Sequence, residues 1–324
     1  MERKNSIDVL RFVSALAIVV IHVVTAPVAH ASLPSDAALA QRLETAHTLM
    51  RWAVPVFFMI TGYCLTLKQE CGYRYCFGHV KKYIAVLFTV GLVYALLEEV
   101  YHGRGLQRDT LLRALHRVIS GDLWDHMWFV YAIIGVYLVM PVLHTVLAGD
   151  RKTARILTFL LFFFTILCPF LKPWLTIGVP FPFGGYLFYV CLGGLIARRS
   201  LNKKWRWMAL VACAGVILFL LLPVGRGEYD SFHPVICLLS VSIFLLFSQS
   251  EWGESRFFAE ASHCSWGIYL LHPLLIQIAL KLLHVDLLSA WPGLRLTLFG
   301  LMVAALSFAA TWVLRKIPGV RYLF

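Results

Sequence analysis

Arg11 and His22 are two chemically capable side chains within the first long apolar stretch of the chain, and ten residues separate them. An imidazole can act as a general base or a nucleophile, and a guanidinium binds anionic groups. In a helix, eleven steps of about 100° bring both side chains to nearly the same face, about 16 Å apart along the axis. Asp8 lies three residues before Arg11, close enough to hold the guanidinium. The pattern predicts one helix that carries an acid, a base and an imidazole in a single column.

Ionisable side chains inside a membrane helix need an explanation, because Arg or Asp near the helix centre costs about 2.5–3.5 kcal/mol on insertion scales. Two simpler interpretations compete with a functional one. The first places Asp8 and Arg11 near the cytoplasmic end, with their side chains reaching the headgroups. The second makes His22, which lies beyond the bilayer midplane, a neutral imidazole hydrogen-bonded between helices.

The composition places the chain in the class of membrane proteins. Of its 324 residues, 60% are hydrophobic and only 14% are charged, and the mean hydropathy is +0.76. No soluble domain of this length could expose such a composition to water. We therefore predict a single all-α polytopic domain over residues 1–324. About 20 apolar residues cross the hydrocarbon, and ten spans are predicted near residues 7–28, 48–67, 83–101, 127–147, 156–171, 183–197, 207–223, 232–248, 264–283 and 294–314.

The distribution of Lys and Arg predicts the orientation. Eighteen of them fall on the side that holds both termini, ten fall on the other side, and Arg11 lies within the first span. Positive loops face the cytoplasm, so both termini are predicted to be cytoplasmic. The formal charge of +12 then reflects topology and contact with membrane lipid, and we expect no nucleic-acid partner.

Two further segments offer candidate binding residues, each with a structural alternative. In the second span, the Thr61 hydroxyl precedes Gly62 and can bond a carbonyl or a ligand, although this pair also suits helix packing alone. At the outer end of the fourth span, His126 and Trp128 form an aromatic–imidazole cluster, although aromatic residues at that depth are ordinarily interface anchors. Residues 106–119 read as a short amphipathic helix on the outer surface.

The ninth span carries a second imidazole inside the membrane. Tyr269 and His272 are i,i+3 neighbours, and Pro273 frees a backbone carbonyl beside them. A polar patch in mid-membrane must face a cavity or another helix. With Arg11 and His22, these residues suggest a polar path from the cytoplasm towards the outer face.

The cysteines do not predict a metal site or a disulfide framework. Cys71, Cys76 and His79 share a cytoplasmic loop, but three ligands without a second cysteine pair are a weak signal for zinc. We therefore predict no metal and no bound cofactor.

Four motifs occur in the same order and at similar spacing as in a known family. They are Ile7-Asp8-x-Leu10-Arg11 with His22, Pro55-x-Phe57-Phe58-Met59-Ile60-Thr61-Gly62-Tyr63, His126-x-Trp128-Phe129 and Gly267-Ile268-Tyr269-x-x-His272. Together they resemble the acyltransferase-3 family of bacterial integral-membrane O-acyltransferases, and the resemblance runs from the first span through the ninth.

The resemblance implies transfer of an acyl group, usually acetyl, from cytoplasmic acyl-CoA to a hydroxyl of a cell-surface glycan or lipid-linked saccharide at the bacterial inner membrane. His22 would match the essential histidine of the family, and Arg11 its partner arginine. Where the family often has two arginines before the third span, this chain offers Arg74, Lys81 and Lys82. Lysine binds phosphate as a point charge but lacks the bidentate fork of arginine. Thr61 stands where serine is common.

Acyl transfer to a hydroxyl needs a base or a nucleophile, and His22 can serve as either. At about 16 Å from His22, Arg11 cannot stabilise an oxyanion there, so Arg11, held by Asp8, is assigned to the pantetheine or phosphate portion of the donor. Trp128 and Tyr269 are candidates for the oxyanion donor. The alternative from another class is a lipid-linked glycan exporter or flippase, whose polar residues would line a transport path without covalent chemistry.

Overall fold

Helices form the ordered framework of the protein in a computed structural model, which describes residues 5–31, 36–101, 107, 109–175, 185–199, 202–225, 227, 229–250 and 255–324. Within these residues there is no strand. Helices satisfy every backbone N–H and C=O within one segment, as the bilayer requires. The α-helices are α1 Asn5–Ala31, α2 Ala37–Met50, α3 Ala53–Thr66, α4 Tyr73–Val86, α5 Leu92–Tyr101, α6 Thr110–Ser120, α7 Trp128–Ala148, α8 Arg151–Phe162, α9 Cys168–Leu175, α10 Leu187–Ala197, α11 Lys203–Leu221, α12 Pro234–Ser248, α13 Arg256–Gln277 and α14 Pro292–Leu314.

The described helices confirm an all-α polytopic membrane protein. Among the described residues, eight helical segments are long and apolar enough to cross a membrane, and α10 and α12 are shorter apolar helices. Each of these ten segments overlaps one predicted span, although the third and the ninth begin at Tyr73 and Arg256, ten and eight residues earlier than predicted. The second begins earlier than predicted, because the polar helix α2 continues into α3 and extends this segment to Ala37–Thr66. The cytoplasmic placement of both termini stays a prediction.

The chain divides into two compact units. The first comprises Met1–Leu67 and Leu147–Val313, and the second comprises Lys68–Val146 and Leu314–Phe324. Helices α1–α3 and α8–α13 belong to the first unit, whereas α4–α6 belong to the second. The single domain predicted over residues 1–324 stays a prediction.

In the first unit, α1 and α13 pack side by side and run in the same direction. The Phe12 ring on α1 lies 6.2 Å from the Phe257 ring on α13, and further along both helices the His22 and His272 rings are 5.1 Å apart. Between these contacts lie buried apolar residues that include Ala15, Val19, Cys264 and Ile268.

Helices α3 and α10 approach each other through a reciprocal pair of glycines. A Cβ atom on Gly62 would lie 1.9 Å from the carbonyl oxygen of Val190, and one on Gly193 would lie 2.1 Å from that of Met59. Small residues permit such close backbone contact between membrane helices. The Thr61-Gly62 pair therefore has at least the packing role.

In the second unit, α6 is tied to α5 by ion pairs. The carboxylate of Glu99, a buried residue, accepts from Arg113 Nε at 2.7 Å and from Arg117 Nη1 at 3.4 Å. The outward face of α6 is apolar instead and exposes Leu111, Leu112 and Ile119. The amphipathic helix predicted over 106–119 is thus present as Thr110–Ser120, with residues 106 and 108 outside the described range, and its apolar face suits a membrane interface.

We expect Gly193→Ala to destabilise the protein by about 1–3 kcal/mol, because the added methyl meets backbone atoms that cannot turn aside. Thermal unfolding of the detergent-purified protein should show a lower midpoint. Gly215→Ala on α11 is the matched control, since a Cβ there meets nothing within 4 Å. Equal midpoints for the two variants would contradict the close approach of α3 and α10.

Candidate active site

Two histidines from different helices meet in the first unit. The ring centroids of His22 on α1 and His272 on α13 are 5.1 Å apart, at an interplanar angle of 46°. Ring pairs interact directly at separations of about 4.5–7 Å. His272 is fully buried at 0% exposure, whereas His22 is partly exposed. The structure therefore joins two candidates from opposite ends of the sequence, and His22 is the accessible member.

The proton position on His272 follows from its backbone contact. Nδ1 lies 2.9 Å from the carbonyl oxygen of Ile268, and a carbonyl oxygen only accepts hydrogen bonds. Nδ1 must therefore carry a proton, so an uncharged His272 has its lone pair on Nε2. This contact fixes both the tautomer and the orientation of the ring.

Tyr269 extends the site along α13. Its ring centroid lies 6.3 Å from that of His272, and the ring stacks on Trp266 at 5.3 Å. Tyr269 is buried, so its phenol group lies in an environment where hydrogen bonds are strong. Its assignment as an oxyanion donor stays a prediction.

Arg11 belongs to a second polar cluster on the same two helices. Its Nη1 donates to Ser262 Oγ at 3.2 Å, and Ser262 Oγ donates to Asp8 Oδ1 at 2.7 Å. The direct contact between Arg11 Nη1 and Asp8 Oδ1 is longer, at 3.9 Å. Arg11 Nη2 also contacts Cys64 Sγ on α3 at 3.7 Å. The predicted pairing of Asp8 with Arg11 is therefore present, and a serine from α13 bridges it.

The sequence left open that the side chains of Asp8 and Arg11 both reach the lipid headgroups, and the burial of the two residues differs. Asp8 is only 5% exposed and Ser262 only 3%, so the carboxylate is enclosed by protein. The Arg11 side chain keeps 33% exposure. The guanidinium is thus held from one side and open on the other, as expected of a group that binds a ligand.

Thr61 makes a local contact. Its hydroxyl donates to the carbonyl oxygen of Phe57 one turn earlier, at 2.9 Å. Ser and Thr commonly form this bond inside helices. The predicted role of Thr61 in binding a ligand stays a prediction, and its hydroxyl oxygen could still accept a hydrogen bond.

His126 and Trp128 lie in the second unit and differ in exposure. His126 is 4% exposed and meets the Tyr94 ring edge-on, with centroids 5.3 Å apart. The Tyr94 ring also stacks on Trp124, with the ring centroids 4.4 Å apart. Trp128 is 42% exposed. Trp128 therefore offers a surface to a partner, whereas His126 is mainly enclosed.

Lys81 and Lys82 also lie in the second unit, and their surroundings differ. Lys82 is partly buried, within Coulombic range of Arg315, whereas Lys81 is exposed.

Beside Lys82, the ring of His79 stacks on the ring of Tyr137, with the centroids 4.8 Å apart. Lys68 Nζ lies 4.4 Å above the Tyr75 ring in the same unit. The arrangement combines positive charges with flat aromatic faces.

Several neighbours of these residues carry no sequence signal of their own. Ser262 was not predicted, because a serine inside a helix usually bonds its own backbone, as Ser265 does to Ala261. His47 on α2 was also missed, and it lies within Coulombic range of His22 and Arg51. Only the folded arrangement brings these side chains to the site.

Cys71 lies just before α4, whereas Cys76 and His79 lie on α4, so the prediction of a shared loop was wrong. The two cysteines are close to each other but are poorly suited to bind a metal. The sulfur atoms of Cys71 and Cys76 are 3.7 Å apart. Burial raises the pKa of the Cys71 thiol, which disfavours the thiolate that zinc requires. Across the described residues, no three His, Cys, Asp or Glu side chains are grouped so as to hold a metal ion.

Comparison with known proteins places the chain in a family. The sequence pattern described as an acyltransferase domain, that of the acyltransferase-3 family, matches residues 4–316. The chain is also similar to a protein named amino-acid racemase from Enterococcus faecalis, at 27% identity over 307 residues that cover 85% of this chain and 41% of that protein. It thus spans about two fifths of the length of this curated relative. No solved structure matches the chain. Because the match covers nearly the whole sequence, the chain belongs to the acyltransferase-3 family.

Proposed function

We propose that this protein is an O-acetyltransferase of the bacterial inner membrane. It would move an acetyl group from cytoplasmic acetyl-CoA to a hydroxyl of a cell-surface glycan or lipid-linked saccharide. The observation that carries this proposal is the pairing of a partly exposed His22 with a buried, oriented His272. A base or nucleophile held by a second group is the arrangement that hydroxyl acylation requires.

In the proposed reaction His22 takes the proton of the acceptor hydroxyl. The oxygen attacks the thioester carbonyl, the C–S bond breaks, and the CoA thiolate leaves and receives the proton. His22 can instead attack the carbonyl itself, which breaks the C–S bond and releases CoA, and the acceptor hydroxyl then takes the acetyl group and gives its proton to the freed imidazole. In both routes His272 is proposed to orient the His22 ring and not to react itself, because the His272 ring is buried and its Nδ1 is hydrogen-bonded to the carbonyl oxygen of Ile268.

Arg11 is proposed to hold the donor. Its guanidinium is fixed by Asp8 and Ser262 and remains open on one side, which suits the phosphate or pantetheine portion of acyl-CoA. At about 16 Å from His22 along α1, it contributes binding and orientation and does not touch the reacting carbonyl.

Separate binding roles are proposed for residues of the second unit. Lys81 and Lys82 would attract the phosphates of CoA, and the nearby Arg315 adds to the positive field around Lys82. Trp128, exposed at its helix start, offers the flat apolar face that packs against a sugar ring. The buried His126 would hold the start of α7, and with it Trp128, in position through its contact with Tyr94.

The name of the Enterococcus faecalis relative describes a protein of which only 41% is matched, so we do not extend racemisation to this chain. The exporter or flippase alternative would use the same polar residues without consuming acyl-CoA.

We expect His22→Ala to lower acetyl transfer by about 10²-fold or more, the scale for removing a general base. Membrane vesicles would receive acetyl-CoA labelled in the acetyl group, and label in the envelope glycan and lipid fraction would be counted. His116→Ala on the exposed face of α6 is the control and should retain activity. Wild-type labelling by the His22 variant would remove this residue from the mechanism, and absence of labelling in the wild type would favour the exporter.

Ser262→Ala should raise the KM for acetyl-CoA more than it lowers kcat, because Arg11 loses its contact with α13. Ser262→Thr keeps the hydroxyl and should restore the KM. Ser265→Ala removes a neighbouring buried hydroxyl that bonds only its own helix at Ala261, and it should leave both constants unchanged. A fall in kcat alone, with KM unaffected, would contradict a donor-binding role for this cluster.

Lys82→Gln should raise the KM for acetyl-CoA by up to about fivefold, the scale of one solvated charge pair, and a smaller rise is expected for Lys81→Gln. The difference between wild type and variant should shrink as salt is added, because salt screens the attraction. Lys152→Gln, at an exposed lysine of α8, controls for general charge loss. An unchanged KM in a correctly inserted Lys82 variant would leave both lysines with a topological role only.

A further inference from the structure

A cavity of about 680 Å³ lies in the first unit between α1, α2 and α14. This volume falls within the range of about 300–1,000 Å³ that is typical of ligand sites. Its floor is apolar and includes Val19, Val23, Leu43 and Leu296 of the buried cluster. Neither His22 nor His272 lines it. The cavity is therefore separate from the proposed reaction site.

The walls determine the kind of occupant. Apolar cavities do not hold ordered water, which needs two to four polar partners. Thr297 lines the cavity but its hydroxyl donates to the carbonyl oxygen of Gly293, at 2.8 Å. In a membrane the available apolar occupant is a hydrocarbon chain, and a concave site between three helices gives that chain more contacts than a flat lipid-facing surface.

The rim of the cavity carries groups suited to a headgroup. Arg42 is exposed and lies near the start of the Ala37–Thr66 segment. Trp291 is 78% exposed and directly precedes Pro292, where the last span begins. The ends of spans lie at the membrane–water interface, where tryptophan is enriched. A guanidinium binds phosphate through two parallel hydrogen bonds.

We propose that this cavity binds one acyl chain of an anionic phospholipid, with the lipid phosphate on Arg42. The chain lies along α1 between Val20 and Gly300, both of which line the cavity. The site is a lipid-binding site built into the first unit, and it does not depend on the acyl-transfer reaction.

Native mass spectrometry of the full-length protein in detergent tests this proposal, with phosphatidylglycerol and phosphatidylcholine as probes. The wild type should bind phosphatidylglycerol more tightly. Arg42→Gln should weaken phosphatidylglycerol binding about fivefold, the effect of one cation near a membrane surface, and should weaken phosphatidylcholine binding less, because the choline cation offsets the charge of that lipid's phosphate. Gly300→Leu should abolish binding of both lipids at this site, because Gly300 lines the cavity and the leucine side chain would fill it. The added Cβ itself would be accommodated, since it would lie 3.8 Å from Val23 Cγ1.

The matched control is Gly215→Leu, where an added Cβ meets nothing within 4 Å, and binding should be as in the wild type. If Gly300→Leu does not fold, Ala304→Leu fills the same cavity. Retention of lipid by the folded filled variant would overturn the site, and equal phosphatidylglycerol binding by wild type and Arg42→Gln would overturn its headgroup contact. The protein extracted from its native membrane should retain a phospholipid, and a retained polyprenyl-phosphate saccharide would overturn the proposed occupant.

Discussion

The parallel contact between α1 and α13 is the constraint on which the polar chemistry of the first unit depends. Two sets of contacts hold the helices together. In the first, Ser262 on α13 bridges Asp8 and Arg11 on α1. In the second, the ring of His22 contacts the ring of His272. The two sets are eleven residues apart on α1 and ten on α13, about 16 and 15 Å of rise. A slip of one turn would break both sets and leave Asp8 buried without its serine donor, so a single register fixes both clusters.

A membrane gives packed helices no hydrophobic drive of the kind that folds soluble proteins, so contact geometry and polar bonds decide which helices meet. In the first unit, Gly62 and Gly193 let two backbones touch. In the second unit, Glu99 holds two arginines of α6. Buried charges are stable only when they are paired and hydrogen-bonded, so we read these arginines as structural and assign them no part in recognising a substrate.

The hydrophobic pattern predicted the ten helical segments because each contains an apolar run, and in eight of the described segments this run is near the length that a bilayer selects. It missed α2, whose polar residues such as Glu44 and His47 interrupt the run while the helix continues into α3. Spacing on one helix predicted that Arg11 and His22 share a face, and both side chains contact α13. A motif marked His272. No local rule could assign Ser262 to Asp8, since these residues are 254 positions apart and meet only through the packing of α13.

The separation of the two clusters along α1 limits which donors the first unit can accept. A group bound at Arg11 lies about 16 Å from the imidazole of His22, so a compact acyl donor could not contact both. An extended donor, with an anionic end far from its thioester, could do so if it lay along the seam beside the partly exposed side chains of α1. Binding energy gained at Arg11 would then orient a distant carbonyl, which is how remote contacts contribute to the rate of a reaction.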